Sequence, residues 1–150
     1  MSQNLLSVLC ITALMMGCEV SQKRPEKIDA CSLFTKSEIE AALGTTVKDG
    51  ERTFYERDVS ACQYATGGQP ARVEVLQPAL TKRNPAPGRD LLKKVRTEKG
   101  EPPQVVSGVG EAAVWDGRTL HFVKNDIYVM ISADSLETAK TLALKATSRL

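Results

Sequence analysis

Histidine is nearly missing from this chain: His121 is the only one in 150 residues. A single imidazole excludes the ordinary transition-metal sites, which need several nitrogen or sulfur ligands. As a general base it would also need a nucleophile and an orienting acid, and no nucleophile-elbow pattern is present. Flanked by Leu120 and Phe122, it reads as a surface or half-buried structural residue. Aromatic residues are scarce, at 5%, and do not interleave with the basic ones, which removes the stacking platform of single-stranded nucleic-acid binders. The formal net charge of +2 is too small to imply a polyanionic partner. Gly108-Val109-Gly110 lacks the third glycine of a dinucleotide fingerprint and the Gly-Lys-Ser/Thr of a phosphate loop, so it reads as a turn before a strand. Carboxylates are scattered. Glu38 and Glu40 stand two apart on a helix and do not face each other; Asp49, Glu51, Glu56 and Asp58 lack calcium-loop spacing. No metal and no cofactor is implied.

Four cysteines are present. Two lie in or at the end of an N-terminal apolar run, Leu5 to Met16, with Cys10 inside it and Cys18 just after Gly17. About a dozen apolar residues suit the core of an export signal and fall short of the ~20 that a spanning helix needs. Gly17-Cys18 resembles the lipobox of bacterial lipoproteins, in which the Cys is diacylated and becomes the mature N-terminus; Met15 and Met16 stand where that motif usually has Leu and a small residue. That resemblance implies a signal peptide over residues 1–17 and lipid attachment at Cys18. An ordinary cleaved signal and an uncleaved apolar stub are the other readings. In Gram-negative lipoproteins an Asp after the Cys retains the protein at the inner membrane; Glu19 stands here, which implies outer-membrane anchoring facing the periplasm, or the cell membrane in a Gram-positive host. Residues 18–28 are polar and charged and read as a tether.

Acylation of Cys18 leaves an even pair, Cys31 and Cys62, and an oxidising compartment favours a disulfide between them over two buried free thiols. Cys31 lies just before the clearest helix start in the chain. Thr35 followed by Glu38 is a capping box, with Phe34 and Ile39 placed as a hydrophobic staple. Ile39, Ala42 and Leu43 share one face, and Gly44 suits the C-terminal end, so a helix is expected from about Lys36 to Leu43.

Downstream, Asp49-Gly50 between Thr45–Lys48 and Glu51–Tyr55 signals a hairpin at a sheet edge. Strand-like runs follow at Ala61–Thr66 and Ala71–Gln77. A proline-containing loop, 78–88, leads into a helix expected over about Arg89–Glu98. A three-strand meander follows: Ala112–Trp115, Arg118–Val123 and Ile127–Ser132. Its turns fall at Asp116-Gly117 and Lys124–Asp126. Leu120 and Phe122 share one face, and Ile127, Val129 and Ile131 another. The last helix starts at Asp134 or Ser135 and carries an apolar stripe of Leu136, Ala139, Leu142, Ala143, Ala146 and Leu150. These elements describe one α+β domain over residues 29–150: an antiparallel sheet packed by N-terminal, middle and C-terminal helices.

Cys31-Ser32-Leu33-Phe34-Thr35, Leu43-Gly44, Cys62-Gln63-Tyr64 and Gly108-Val109-Gly110-Glu111-Ala112 together resemble a family of small secreted bacterial lipoproteins of unknown function. The resemblance implies a PsbP-like α/β sandwich and binding or accessory work in the envelope, with no catalytic residues to carry over.

Charge is uneven in one place. Between residues 82 and 99, Lys82, Arg83, Arg89, Lys93, Lys94, Arg96 and Lys99 face only Asp90 and Glu98. This reads as a solvated helix face or as a surface for an anionic envelope component or acidic protein partner. The functional expectation is a membrane-anchored, non-enzymatic binding or accessory module that does not bind nucleic acid. The alternatives are an immunity or inhibitor lipoprotein that blocks a toxin or wall hydrolase and, more remotely, a hydrolase with a dispersed site.

Overall fold

The computed structural model describes residues 26–68, 70–77, 80 and 87–150. Cys10, Cys18 and the signal segment lie outside them, as do Lys82 and Arg83. Seven strands form one antiparallel sheet: β1 (Glu51–Tyr55), β2 (Val59–Tyr64), β3 (Ala71–Leu76), β4 (Gln104–Val105), β5 (Ala112–Trp115), β6 (Thr119–Lys124) and β7 (Ile127–Ser132). Their spatial order is β1-β2-β3-β7-β6-β5-β4. The sheet is thus two meanders joined where β7 pairs with β3 at the centre. Three helices, α1 (Lys36–Leu43), α2 (Gly88–Leu92) and α3 (Leu136–Thr147), complete an α+β fold.

Helix α1 begins and ends where its sequence dictates. The Glu38 N–H donates to Thr35 Oγ1 (3.3 Å), the Thr35 N–H donates to Glu38 Oε2 (2.9 Å), and Gly44 closes the helix at φ 67°. Phe34 and Ile39 are both buried. Ser135 caps α3 by accepting from the Thr138 N–H. Ala139, Leu142, Ala143 and Ala146 are fully buried against the sheet. Arg149 locks the two helices together, donating through both Nη atoms to the two oxygens of Glu38 (2.9 and 2.6 Å).

Register fixes the two faces. On the face under α1 and α3, Cys62, Val73, Ile131 and Leu120 stand in one row and Ser60, Val75, Val129 and Phe122 in the next. Leu120 and Phe122 therefore lie beside Ile131 and Val129 on the same face, not on another. The second face carries Ala61, Glu74, Met130 and His121, then Val59, Leu76, Tyr128 and Val123. Among the described residues, α2 and the segment after it cover this face, through Leu91 and Leu92.

The disulfide joins Cys31, in a 3-10 turn over Ala30–Ser32, to the middle of β2, with S–S 2.06 Å and Cα–Cα 5.0 Å. Further bonds hold the same turn: the Ala30 N–H donates to Ser60 Oγ (2.8 Å), Asp29 accepts from the Cys31 N–H (3.0 Å), and Arg52 pairs with Asp29.

Two expectations are corrected. Residues 45–50 form no strand, and the Asp49-Gly50 hairpin is not made. β1 pairs with β2 instead, at the sheet edge, with a bulge between Arg52 and Phe54. Gly50 serves packing, not turning: a Cβ there would stand 2.8 Å from Tyr64 Cε1 and 2.9 Å from Cys62 Sγ. The middle helix stops at Leu92, well short of Glu98. Val95 turns inward to be buried, and the Arg96 guanidinium donates to the carbonyls of Lys93 (2.9 Å) and Val95 (2.6 Å), satisfying groups that a longer helix would have bonded itself. Gly100, at φ 78°, belongs to a separate turn closed by its own N–H on the Thr97 carbonyl (2.8 Å).

Candidate binding surface and the Asp116–His121–Tyr128 network

The basic segment is partly neutralised. Arg89 donates to Glu111 (2.8 Å) and Lys93 to Asp90 (2.8 Å). These guanidinium and ammonium partners hold the Glu111 and Asp90 carboxyls below the ordinary range. Arg96 is spent on backbone carbonyls, as above. Lys94 and Lys99 have no ion pair among the described residues, and both are exposed. Of the seven basic residues read as a surface for an anionic partner, Arg89 and Lys93 are ion-paired and Arg96 is bonded to carbonyls, while Lys82 and Arg83 lie outside the described residues.

His121 sits differently from its sequence reading. It is 8% exposed, and both ring nitrogens are engaged: Nδ1 lies 2.7 Å from the Tyr128 hydroxyl and Nε2 2.9 Å from Asp116 Oδ2. Burial pushes the Tyr128 hydroxyl up to about 12, with the Asp116 and Glu74 charges adding to it. The Asp116 carboxylate can only accept, so His121 Nε2–H donates to it, and in the neutral imidazole Nδ1 is then the acceptor for the Tyr128 hydroxyl. Asp116 also fixes the β5–β6 turn, since its Oδ1 accepts from the N–H groups of Arg118 (2.8 Å) and Thr119 (2.7 Å). Burial opposes ionisation of Asp116, but the bond from His121 and those two N–H groups outweigh it, and its pKa lies below the ordinary carboxylate value. The chain Tyr128–His121–Asp116 thus runs across β7 and β6 into the turn that carries Arg118.

The orienting acid that sequence reasoning could not find is Asp116, five residues upstream. Its signal was the Asp-Gly turn itself, which returns β6 alongside β5. Tyr128 joins because Met130 is the register partner of His121, so Tyr128 lies diagonally across the same face.

Three concavities lie around this turn. A groove of about 620 Å³ is lined by Gln63, Arg72, Arg118, Thr119, Ser132 and Asp134, among others. A second, of about 500 Å³, holds Thr97, Glu98, Lys99 and Glu101 and shares Asp116, Gly117 and Arg118. A shallow depression of about 330 Å³ has Leu76, Leu91, Val95 and the Tyr128 ring, with Lys94 and Arg96 and the edge of His121. His121 therefore does border a concavity. Among the described residues no group of three or more His, Cys, Asp or Glu side chains is placed to hold a metal ion. No helix among them is long and apolar enough to cross a membrane.

No protein-family model, curated protein sequence or solved structure matches this chain.

Proposed function

We propose that this chain is an exported lipoprotein of the cell envelope, similar to the small secreted lipoproteins named above. In this reading residues 1–17 are removed, Cys18 carries the lipid, and the domain works as a non-enzymatic binding or accessory module. The observation that carries the reading is the Cys31–Cys62 bond, whose β2 end is fully buried. Structural disulfides of this kind belong to oxidising compartments and are rare where thiols are kept reduced. With Cys31 and Cys62 bonded and Cys10 removed with the signal, Cys18 is the thiol left for acylation. Glu19 after it favours the outer membrane.

Binding is favoured over turnover by the state of His121, whose two nitrogens are both committed to protein groups, and by the grooves beside the β5–β6 turn. Within the basic segment, Lys94 and Lys99 are the described charges left for an anionic envelope component, with Lys82 and Arg83 as further contributors.

The test is metabolic labelling with a palmitate analogue, together with intact-mass analysis under non-reducing conditions. Wild type incorporates label and shows one disulfide, and Cys18→Ala incorporates none. A chain that keeps Met1 and presents four free thiols overturns the reading.

A further inference from the structure

Arg118 differs from most other arginines of the described residues. Arg52, Arg72, Arg89 and Arg149 each contact a carboxylate, and Arg96 bonds carbonyls. The Arg118 side chain has no hydrogen-bond or ion-pair partner among the described residues and is exposed. Yet its backbone is fixed, because Asp116 Oδ1 accepts from the N–H groups of Arg118 and Thr119. The buried Tyr128–His121–Asp116 chain ends on its N–H, and Gly117 before it turns at φ 104°. A fixed turn removes the backbone ordering that would oppose ligand capture, leaving the side-chain rotamers of a guanidinium that no protein group already occupies. It stands where the two larger grooves meet, belonging to both.

Charge alternates along this trough. In strand order the trough runs from Arg72 on β3, shared with Glu74 (3.1 Å), past Asp134 just after β7, to Arg118 at the β5–β6 turn, and on to Asp116, Glu98 and Glu101, which outnumber Lys99. A polyanion meets like charge on both sides of Arg118. A chain with one carboxylate between two cations meets opposite charge throughout. No aromatic side chain lines either groove, so a sugar ring has nothing to stack on.

Residues 26–28, the described end of the tether, lie at the opposite end of the strands. Gln77, just past β3, donates from Nε2 to the Glu26 carbonyl (2.9 Å) and accepts the Ile28 N–H on Oε1 (2.7 Å). Residues 26–28 therefore lie beside the end of β3 at Leu76, whereas Arg72, Ser132 and Thr119 stand four residues away along the strands, about 13 Å at ~3.3 Å per residue.

We propose that the trough across the Asp116-Gly117-Arg118 turn docks an extended segment of a partner protein in which one Asp or Glu is flanked on both sides by Lys or Arg, its carboxylate received by Arg118. The proposal deepens the binding-module reading and rests on it.

The experiment is an ¹⁵N NMR titration of the purified chain with three blocked seven-residue probes and inorganic phosphate. One probe carries Glu at its centre and Lys at positions two and six; the second inverts those charges; the third is all Glu. The first probe is expected to shift Gly117, Arg118 and Thr119 amides and the Arg118 Nε signal saturably. Arg118→Ala is expected to bind it at least about tenfold more weakly, the scale of one lost charge-assisted hydrogen bond, and Arg118→Lys to fall between. Tighter binding of the all-Glu probe or phosphate, equal binding by Arg118→Ala, or no shift with the first probe overturns the proposal. Palmitate labelling reports separately: a labelled, disulfide-bonded chain without trough binding leaves the envelope reading standing and removes this one.

Discussion

Replacing both Cys31 and Cys62 by Ala is expected to be the most damaging change outside the apolar core. The bond closes 31 residues. Loop-closure entropy removed from the unfolded chain is then about 12 cal/mol/K, or about 3.7 kcal/mol at 25 °C. With an unfolding entropy of about 2.1 cal/mol/K per residue over roughly 120 folded residues, that corresponds to a fall in Tm of about 15 °C. The structure gives this loop its consequence. It contains α1 with its capping box, the whole of β1 and the start of β2, and these touch the rest of the domain through the 3-10 turn, the α1–α3 contact with its Glu38–Arg149 pair, and the β2–β3 pairing. The assay is equilibrium urea unfolding of the oxidised chain and of the double variant, followed by circular dichroism and Trp115 fluorescence. If the bond acts on the unfolded state, the variant's midpoint drops and its m-value rises, because an uncrosslinked chain exposes more surface on unfolding. A midpoint corresponding to less than about 1 kcal/mol of lost stability refutes the reasoning.

Three further outcomes follow from single contacts. Glu38 is held down to about 2 from an ordinary 4.5, first by Arg149 and then by the Thr35 N–H. Its contribution is therefore present in full above about pH 4.5 and is lost as pH falls towards 2, so Glu38→Gln should flatten acid unfolding across that window and leave the limb above pH 6 parallel to wild type. Tyr128→Phe removes the donor to His121 Nδ1 in a buried site and should cost about 1–3 kcal/mol in urea unfolding, with faster amide exchange at Arg118 and Thr119; unchanged exchange there would show that the turn holds itself. Gly50→Ala forces a Cβ against the Tyr64 ring and the Cys62 sulfur and should cost about 1–3 kcal/mol by thermal melting, whereas Gly67→Ala, with nothing within 4 Å of its Cβ, should be near neutral.

What the sequence discloses depends on how far apart the deciding atoms are. The Thr35–Glu38 box, Gly44 and the Ser135 cap act over three to nine residues and read directly from spacing. So do the β6–β7 turn at Asn125 and Asp126, whose φ values of 50° and 60° match a two-residue hairpin, and the alternation of the late meander. The failures share a different origin. Asp49-Gly50 has the composition of a turn, but its glycine is required by a sulfur and a ring twelve and fourteen residues downstream, so a local rule reads the right residue for the wrong reason. Helix α2 has helical periodicity to Val95, but Val95 is worth more buried on the sheet than aligned on a helix. In the basic segment, the pairing of Arg89 with Glu111, 22 residues away, is not readable from local spacing.

The candidate site is least legible of all, because its four residues, Asp116, Arg118, His121 and Tyr128, carry no motif. Sequence places His121 in a strand and stops there. It takes the β6–β7 register to bring Tyr128 under one nitrogen and the Asp-Gly turn to bring Asp116 to the other. A buried imidazole with both nitrogens satisfied by a phenol and a carboxylate is an arrangement that apolar residues of the same volume would replace at little cost to stability. Retaining it is explained if the turn's position matters more than its energy, and the group that the turn presents is the unpaired guanidinium of Arg118. On that argument Tyr128→Phe should weaken capture of the Lys-Glu-Lys probe without any contact to it, through a looser turn. The same substitution should leave binding intact if His121 and Asp116 serve packing alone.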